Sequence, residues 1–254
     1  WREGRVKKIK NFIDHILLLF NFEKKYFEKE NVSCEFVGHP LLQNKERSKI
    51  DINQIIGKNK ALISVFAGSR KSEILVLMPI LLDFIKLMNE KYADITYVFH
   101  STKEYSDLIQ SYINKSSLSN CEIVSDNEIK SHILQKSVFA VAKSGTVSLE
   151  ISNAKIPSVI LYKMNFINFM IIKSLIKTKY ANIINFAANE EIIPELLQSN
   201  CNSKNIFKHV SDFLEDPNKI DAQLQKVQNI LNKLKTNRSS SELASLSLNK
   251  FLQC

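Results

Sequence analysis

The 254 residues suffice for one large domain or two small ones, and 44% hydrophobic and 24% charged residues are typical of a soluble globular protein. Four widely separated cysteines without a Cys-x-x-Cys pair argue against a zinc motif or a disulfide framework, and they favour a reducing cytoplasm. The formal net charge of +9 suits an anionic partner, but the lysine-rich composition along the whole chain is the commoner explanation. Because the positive residues are not interleaved with aromatic residues on one element, we expect no nucleic-acid partner.

The first sixty residues predict short helices and strands ahead of the main pattern. The elements, in chain order, are a helix over Arg5 to Phe12, a strand over Ile16 to Phe20, a helix over Glu23 to Glu30 and a strand over Cys34 to Val37. Gly38-His39-Pro40 ends the last strand, and the polar residues that follow predict a linker.

From Lys60 onward, apolar runs of strand length alternate with segments of helix length. The strands are expected at Ala61 to Phe66, Ile95 to Phe99, Val138 to Ala142 and Ser158 to Tyr162, and the helices at Ile74 to Glu90, Tyr105 to Asn114, Glu128 to Gln135 and Thr146 to Ser152. This alternation predicts a parallel sheet with helices on both faces. Pro79 interrupts the first helical pattern, so we expect a turn over Glu73 to Met78 and a long helix that begins near Pro79.

Further helical segments close the chain. They cover Glu190 to Leu197, Lys204 to Leu214, Ile220 to Leu234 and Ser241 to Phe251.

Two of the five glycines lie in loops that follow predicted strands, in Gly68-Ser69-Arg70 and in Ser144-Gly145-Thr146. Ligands of open α/β sheets bind beyond the carboxyl ends of the strands. There, loop amides and the Arg70 guanidinium could hold a diphosphate, and Glu150, one helical turn after Thr146, could accept both hydroxyls of a ribose. Ordinary strand-to-helix turns with exposed side chains explain either loop alone, but two such loops at one sheet edge favour nucleotide binding.

Other residues carry weaker functional signals. None of the five histidines has an acidic neighbour at ligand spacing, so no metal site, catalytic triad or cofactor is predicted. The apolar segment Asn165 to Lys177 has a basic end and could lie against a lipid or a membrane surface, although a helix packed on the core is the commoner explanation. Apolar runs fall short of the roughly 18 residues that span a bilayer, so no transmembrane helix is expected.

A series of short strings extends along the chain in a fixed order. They are Trp1 to Ile9, Asp14 to Glu23, Phe36 to Leu41, Gly68 to Ile74, Ser144 to Thr146 with Leu149-Glu150, Tyr162 to Asn165 and Pro194 to Gln198. In these strings the chain resembles lipid-A-disaccharide synthase, a GT-B glycosyltransferase family. That family joins UDP-2,3-diacylglucosamine to 2,3-diacylglucosamine 1-phosphate and releases UDP. The resemblance covers the chain to about Gln198, with helical similarity beyond.

The resemblance implies an α/β fold of GT-B type, in which two Rossmann-like domains face a cleft. It implies a remnant of the N-terminal acceptor domain at 1–42, a linker and domain entry at 43–59, a complete C-terminal UDP-sugar-binding domain at 60–218 and closing helices at 219–254. By the same resemblance, UDP would be bound by Gly68, Ser69, Arg70, Ser144, Gly145, Thr146, Glu150, Asn185 and Gln198.

The sequence also departs from the family. Most of the family's N-terminal domain has no counterpart, including its Gly-rich first loop, the acceptor surface and the aspartate proposed as general base. We therefore assign no catalytic residue to this chain and expect a donor-binding portion that is inactive alone, at the cytoplasmic side of the inner membrane. The alternative is a non-catalytic subunit that associates with a second copy or with a full-length or split synthase. Asn21, Ala67 and Ile184 replace family prolines, and Asn189 replaces a glycine.

Overall fold

A computed structural model describes residues 4–43, 61–164, 169 and 179–252 of the chain. Within these residues, two strands form a small parallel sheet near the N-terminus, and six strands form a second, larger parallel sheet. The predicted α/β class and the parallel sheet are confirmed. Residues 44–59 of the expected linker lie outside the described residues, and so does the apolar segment Asn165 to Lys177 except for Phe169.

The N-terminal unit contains two short helices, each followed by a short strand. They are α1 (Gly4–Ile9), β1 (His15–Leu18), α2 (Lys24–Glu28) and β2 (Ser33–Phe36). The two strands pair in parallel from His15 opposite Ser33 to Leu18 opposite Phe36. Leu18 is buried at the end of β1. The four predicted elements are therefore present, with boundaries displaced by a few residues.

The larger unit continues the alternation of strands and helices. Its elements are β3 (Ala61–Phe66), α3 (Lys71–Lys91), β4 (Ile95–His100), α4 (Ser106–Ser116), β5 (Cys121–Val124), α5 (Asn127–Lys136), β6 (Phe139–Lys143), α6 (Val147–Asn153), β7 (Ser158–Tyr162), α7 (Ile183–Ala188), β8 (Glu195–Leu197), α8 (Ser203–Glu215), α9 (Pro217–Leu234) and α10 (Ser240–Leu252).

The strand order β5-β4-β3-β6-β7-β8 places a topological switch point in the middle of the larger sheet. The chain runs outward from β3 to β5 and then returns to the other side of β3 to form β6. Phe66 at the end of β3 pairs with Ala142 on β6, so the loops after both strands emerge side by side. A switch point of this kind is where open α/β sheets bind their ligands.

The helix α3 begins at Lys71 and continues through Pro79, so the predicted turn over Glu73 to Met78 is wrong. Its buried face, which includes Leu77, Met78 and Phe84, packs on the core. A proline inside a helix costs about 3 kcal/mol, because the carbonyl four residues earlier loses its partner and the ring clashes with that carbonyl. That carbonyl belongs to Leu75, and Leu75 and Pro79 both lie on the exposed face, where water can reach it. Burial of the apolar face therefore outweighs the proline.

The expected helix over Glu190 to Leu197 is also wrong. Pro194 follows Ile193, and a residue before proline disfavours the helical conformation. Residues Glu195–Leu197 instead form β8, in which Leu196 pairs with Leu161 of β7. The strand β5 and the helix α7 were not predicted.

The N-terminal unit and the closing helices pack against the larger unit. Phe20 and Leu42 belong to one buried cluster with Val227 and Leu231 of α9. His15 joins β2 to α10, because its two ring nitrogens lie 2.8 Å from Ser33 Oγ and 2.9 Å from Ser247 Oγ. Across the described residues, no helix is both long enough and apolar enough to span a bilayer.

Candidate nucleotide-binding site

The loop after β3 turns sharply at Gly68, whose φ of +118° is strained for any residue with a side chain. A Cβ atom added to Gly68 would lie 2.7 Å from both Cβ and Oε2 of Glu73. The loop therefore brings its backbone into direct contact with the first turn of α3. Glycine is required here by conformation and by space.

The Glu73 carboxylate organises this loop. Its Oε2 accepts a hydrogen bond from the Ser69 amide at 3.0 Å. Its Oε1 lies 3.0 Å from Arg70 Nη1 and 2.8 Å from Lys143 Nζ. Lys143 is the last residue of β6, so one carboxylate connects the ends of the two central strands.

Burial would by itself raise the pKa of the Glu73 carboxyl, since its side chain is only 12% exposed. The hydrogen bond and charge of Lys143, the Ser69 amide and the charge of Arg70 outweigh burial and lower that pKa below its usual range. Glu73 is therefore an anion within the cluster. Two cations against one anion leave the cluster with a net positive charge, which suits an anionic ligand.

The loop after β6 lies at the same sheet edge and divides into buried and exposed residues. Ser144 is buried, and its hydroxyl donates to the Ala181 carbonyl at 2.9 Å. Gly145 and Thr146 are exposed. Within the described ranges of the chain, a Cβ atom at Gly145 would meet no atom within 4 Å. Packing among these residues therefore does not require glycine at this position and leaves space beside it for a ligand.

A second group of polar residues lies around the end of β4. Glu150 is exposed on α6, and its charge acts on Lys130 of α5. Burial lowers the pKa of the Lys130 ammonium, while Glu150 and Asp126 oppose that effect. Burial, assisted by the charge of Lys130, lowers the pKa of His100 to about 3. These residues connect α5 and α6 to the last residue of β4.

His100 is held by a buried chain of hydroxyl groups. The Ser137 hydroxyl donates to the Ile133 carbonyl at 2.9 Å, and Ser64 Oγ lies 2.7 Å from Ser137 Oγ and 2.8 Å from His100 Nε2. Because each hydroxyl has a single proton, Ser64 donates to Ser137 and accepts from His100, which places the imidazole proton on Nε2. Phe66 stacks on the His100 ring with 4.2 Å between centroids. The chain fixes a neutral histidine at the sheet edge.

Asn185 is fully buried in α7, and its side chain makes four hydrogen bonds within the protein. Its Nδ2 donates to the Ile193 carbonyl at 2.7 Å and to Glu195 Oε1 at 2.8 Å. Its Oδ1 accepts from the amides of Ile192 and Ile193, both at 2.9 Å. Its hydrogen-bonding capacity is therefore used to shape the segment that enters β8.

Gln198 directly follows β8 and adopts a left-handed backbone with φ of +49°. Its Oε1 accepts a hydrogen bond from the Met164 amide at 3.0 Å. Gln198 thus ties the residues after β7 to those after β8.

The structure brings the residues predicted from the two glycine loops to one edge of the sheet, with Glu150 one turn below the second loop. Asn185 and Gln198 belong to the segments around α7 and β8. Two residues of the cluster were not assigned from the sequence, namely Glu73 and Lys143. The available signals were a lysine that ends a strand and a glutamate at the third position of the following helix. Among the described residues, no group of three or more His, Cys, Asp or Glu side chains is placed to hold a metal ion.

The fold and the site define a Rossmann-like domain of GT-B type. A solved structure described as an S. aureus MnaA-UDP co-structure is similar with a TM-score of 0.67 and 15% identity, over 96% of this chain and 61% of that one. UDP-GlcNAc 2-epimerase from Neisseria meningitidis, bound to UDP-GlcNAc, is similar with a TM-score of 0.60 and 14% identity, over 92% of this chain and 61% of that one. At these identities the likeness establishes the fold alone.

Sequence comparison identifies the family. The profile of lipid-A-disaccharide synthetase matches residues 1–249, and the chain belongs to this family of glycosyltransferases. The lipid-A-disaccharide synthase of Rickettsia prowazekii (strain Madrid E) is 34% identical over 250 residues, covering 96% of this chain and 65% of the relative. That of Coxiella burnetii (strain Dugway 5J108-111) is 35% identical over 225 residues, covering 86% of this chain and 58% of the relative. The chain thus spans less than two thirds of the length of these relatives.

Proposed function

We propose that this chain binds UDP-2,3-diacylglucosamine as the glycosyl donor for transfer to 2,3-diacylglucosamine 1-phosphate. The observation that carries the proposal is the family match over residues 1–249, which includes both loops of the switch point. Two solved structures of similar fold are described as containing UDP or UDP-GlcNAc, which supports a uridine diphosphate as the ligand. The domain limits at 42, 59 and 218 are part of this proposal.

The positively charged loop suits the leaving group of the reaction. In the transfer, the bond between the anomeric carbon and the diphosphate oxygen breaks, and UDP leaves with the electron pair. Gly68, Ser69 and Arg70 would hold the diphosphate through the Arg70 guanidinium, the Ser69 hydroxyl and the Gly68 amide, because such donors stabilise the charge that develops there. The Ser69 amide is not among these donors, since it already donates to Glu73. Gly145 and Thr146 would border the same space, and Glu150 would accept the ribose hydroxyls.

The acceptor side of the reaction requires other groups. The acceptor hydroxyl forms the new bond to the anomeric carbon and gives its proton to a base. By the family resemblance, that base belongs to the N-terminal domain. The residues assigned above all act on the donor side of the reaction. Ser144, Asn185 and Gln198 would contribute by positioning the loops, since their side chains bond to the protein's own backbone.

Calorimetric titration of the 254-residue chain with UDP tests this proposal. Arg70→Ala should weaken UDP binding about 10-fold or more, because a hydrogen bond to a charged group contributes about 1.5–3 kcal/mol. Glu150→Ala should weaken binding of UDP and of uridine alike, because it would act on the ribose. Arg238→Ala is the matched control, since the Arg238 side chain is also exposed, at 57% against 74% for Arg70, but pairs with Glu242 of α10. If the wild-type chain does not bind UDP, the proposal is wrong.

A second candidate function is a subunit that associates with another copy or with a full-length synthase. The supporting observation is a set of exposed leucines on α10, namely Leu246, Leu248 and Leu252. Co-purification with a full-length synthase in the absence of UDP binding would favour this function. Sedimentation as a monomer together with UDP binding would argue against it.

The proposal includes contact with the inner-membrane surface, because both proposed substrates carry acyl chains. The net charge of +9 supports attraction to anionic lipids. Cosedimentation with anionic vesicles and not with neutral ones is the expected result.

A further inference from the structure

Lys143 occupies a position next to the Gly68 turn that the sheet register determines. Phe66 of β3 pairs with Ala142 of β6 at the end of their ladder, so the next residues, Ala67 and Lys143, lie side by side just beyond that pairing. The Lys143 side chain then crosses from β6 to the first turn of α3, where its Nζ lies 2.8 Å from Glu73 Oε1. The ammonium group therefore lies at the switch point, beside the proposed diphosphate loop.

The side chains of Lys143 and Arg70 differ in solvent exposure. The Arg70 side chain is 74% exposed, whereas that of Lys143 is 19% exposed and has the Tyr162 ring 5.7 Å from its Nζ. A largely buried ammonium is costly unless it is paired, and Glu73 provides the pair. Since its geometry is fixed in advance, Lys143 would lose little conformational entropy on contact with a ligand.

The ammonium group has unused hydrogen-bonding capacity. Lysine has three N–H donors and no acceptor. Within the part of the chain that the structure describes, Glu73 is the one acceptor hydrogen-bonded to Lys143 Nζ. Two donors are left for a ligand. The net charge of the cluster also favours an anionic ligand, because the two positive charges of Arg70 and Lys143 exceed the single negative charge of Glu73.

We propose that Lys143 is a further phosphate-binding residue of the donor site, and that Glu73 is the positioning residue that holds its ammonium group beside the Gly68 turn. This inference rests on the proposed binding of a uridine diphosphate. The phosphate accepts hydrogen bonds from Lys143 Nζ while the Glu73 contact is kept. Lys143 and Arg70 then approach the diphosphate from the ends of the two central strands.

Titration with two ligands tests the inference. Lys143→Met should weaken UDP binding about 10-fold to 100-fold, because charge-assisted hydrogen bonds to phosphate are lost. Uridine, which has no phosphate, should bind Lys143→Met as it binds the wild type, which also shows that the site is folded. Lys136→Met, on the exposed end of α5, is the matched control and should bind UDP normally. Lys143→Gln replaces the methionine variant if that variant does not unfold cooperatively, with the same expected loss.

A double-variant experiment separates phosphate binding from simple neutralisation of Glu73. If Lys143 only neutralises Glu73, removing both charges should restore UDP affinity, so Glu73→Gln with Lys143→Met would match the wild type. If Lys143 binds phosphate, the double variant should stay about 10-fold or more weaker than Glu73→Gln alone. Restored affinity, or unchanged UDP binding by Lys143→Met, overturns this inference alone. Absence of UDP binding by the wild type overturns the proposed function as well.

Discussion

Replacement of Asn185 by alanine tests whether this residue supports the fold or contacts the ligand. The side chain is fully buried and makes four hydrogen bonds, to the carbonyl and amide of Ile193, the amide of Ile192 and the carboxylate of Glu195. Each such bond contributes about 1 kcal/mol net, so Asn185→Ala should lower the free energy of unfolding by about 4 kcal/mol. Total stability is of the order of 5–15 kcal/mol, so this loss is large.

Urea unfolding monitored by circular dichroism measures the effect. Asn114→Ala is the matched control, since Asn114 is exposed on α4 and accepts one bond from Gln110, and it should change stability by less than about 0.5 kcal/mol. A loss below about 1 kcal/mol in Asn185→Ala, together with abolished UDP binding, would refute the positioning role and indicate direct ligand contact.

The other predictions concern the glycines and the pH dependence. Gly68→Ala should lower the free energy of unfolding by about 1–3 kcal/mol, because of its φ of +118° and the 2.7 Å approach to Glu73. Gly145→Ala should leave urea stability unchanged, since its Cβ would meet no atom of the described residues within 4 Å, yet weaken UDP binding if the ligand occupies that space. His100 should make stability pH-dependent: its pKa falls from 6.5 to about 3 on folding, so its contribution is complete above pH 6.5 and is lost as the pH falls toward 3. Urea titrations of the wild type and His100→Gln should therefore diverge in that window, and parallel curves would contradict the assignment.

Local residue patterns were sufficient to predict the strands and helices that depend mainly on neighbouring residues in the sequence. Ala61–Phe66 and Ser158–Tyr162 are strands as predicted, because continuous apolar runs of this length are buried on both faces of a parallel sheet. The strand Cys121–Val124 was missed, since it has only four residues and includes the exposed Glu122. The strand Glu195–Leu197 depends on pairing with β7, which is a contact between distant parts of the sequence.

The same distinction applies to the candidate site. Gly68 and Gly145 could be selected from the sequence, because glycine is scarce in the chain and both follow apolar runs. The role of Lys143 could not be predicted from the sequence, since a lysine at the end of a strand is usually exposed. Its burial depends on Glu73, a partner 70 residues earlier that only the adjacency of β3 and β6 brings within reach.

The polar residues of the site divide by burial, and the division determines which measurement each substitution affects. Glu73, Ser144 and Asn185 are largely buried and bond to backbone groups, so they define the shapes of the loops. Arg70 and Thr146 lie on the exposed side of the same loops. Buried polar groups are costly to leave unpaired, so substitutions of the first group should appear mainly in unfolding free energy. Substitutions of the second group should appear mainly in UDP affinity. By the inference above, Lys143 combines the two properties, because it is largely buried and would use its remaining donors for a ligand. Comparison of UDP with uridine is therefore the decisive measurement for Lys143.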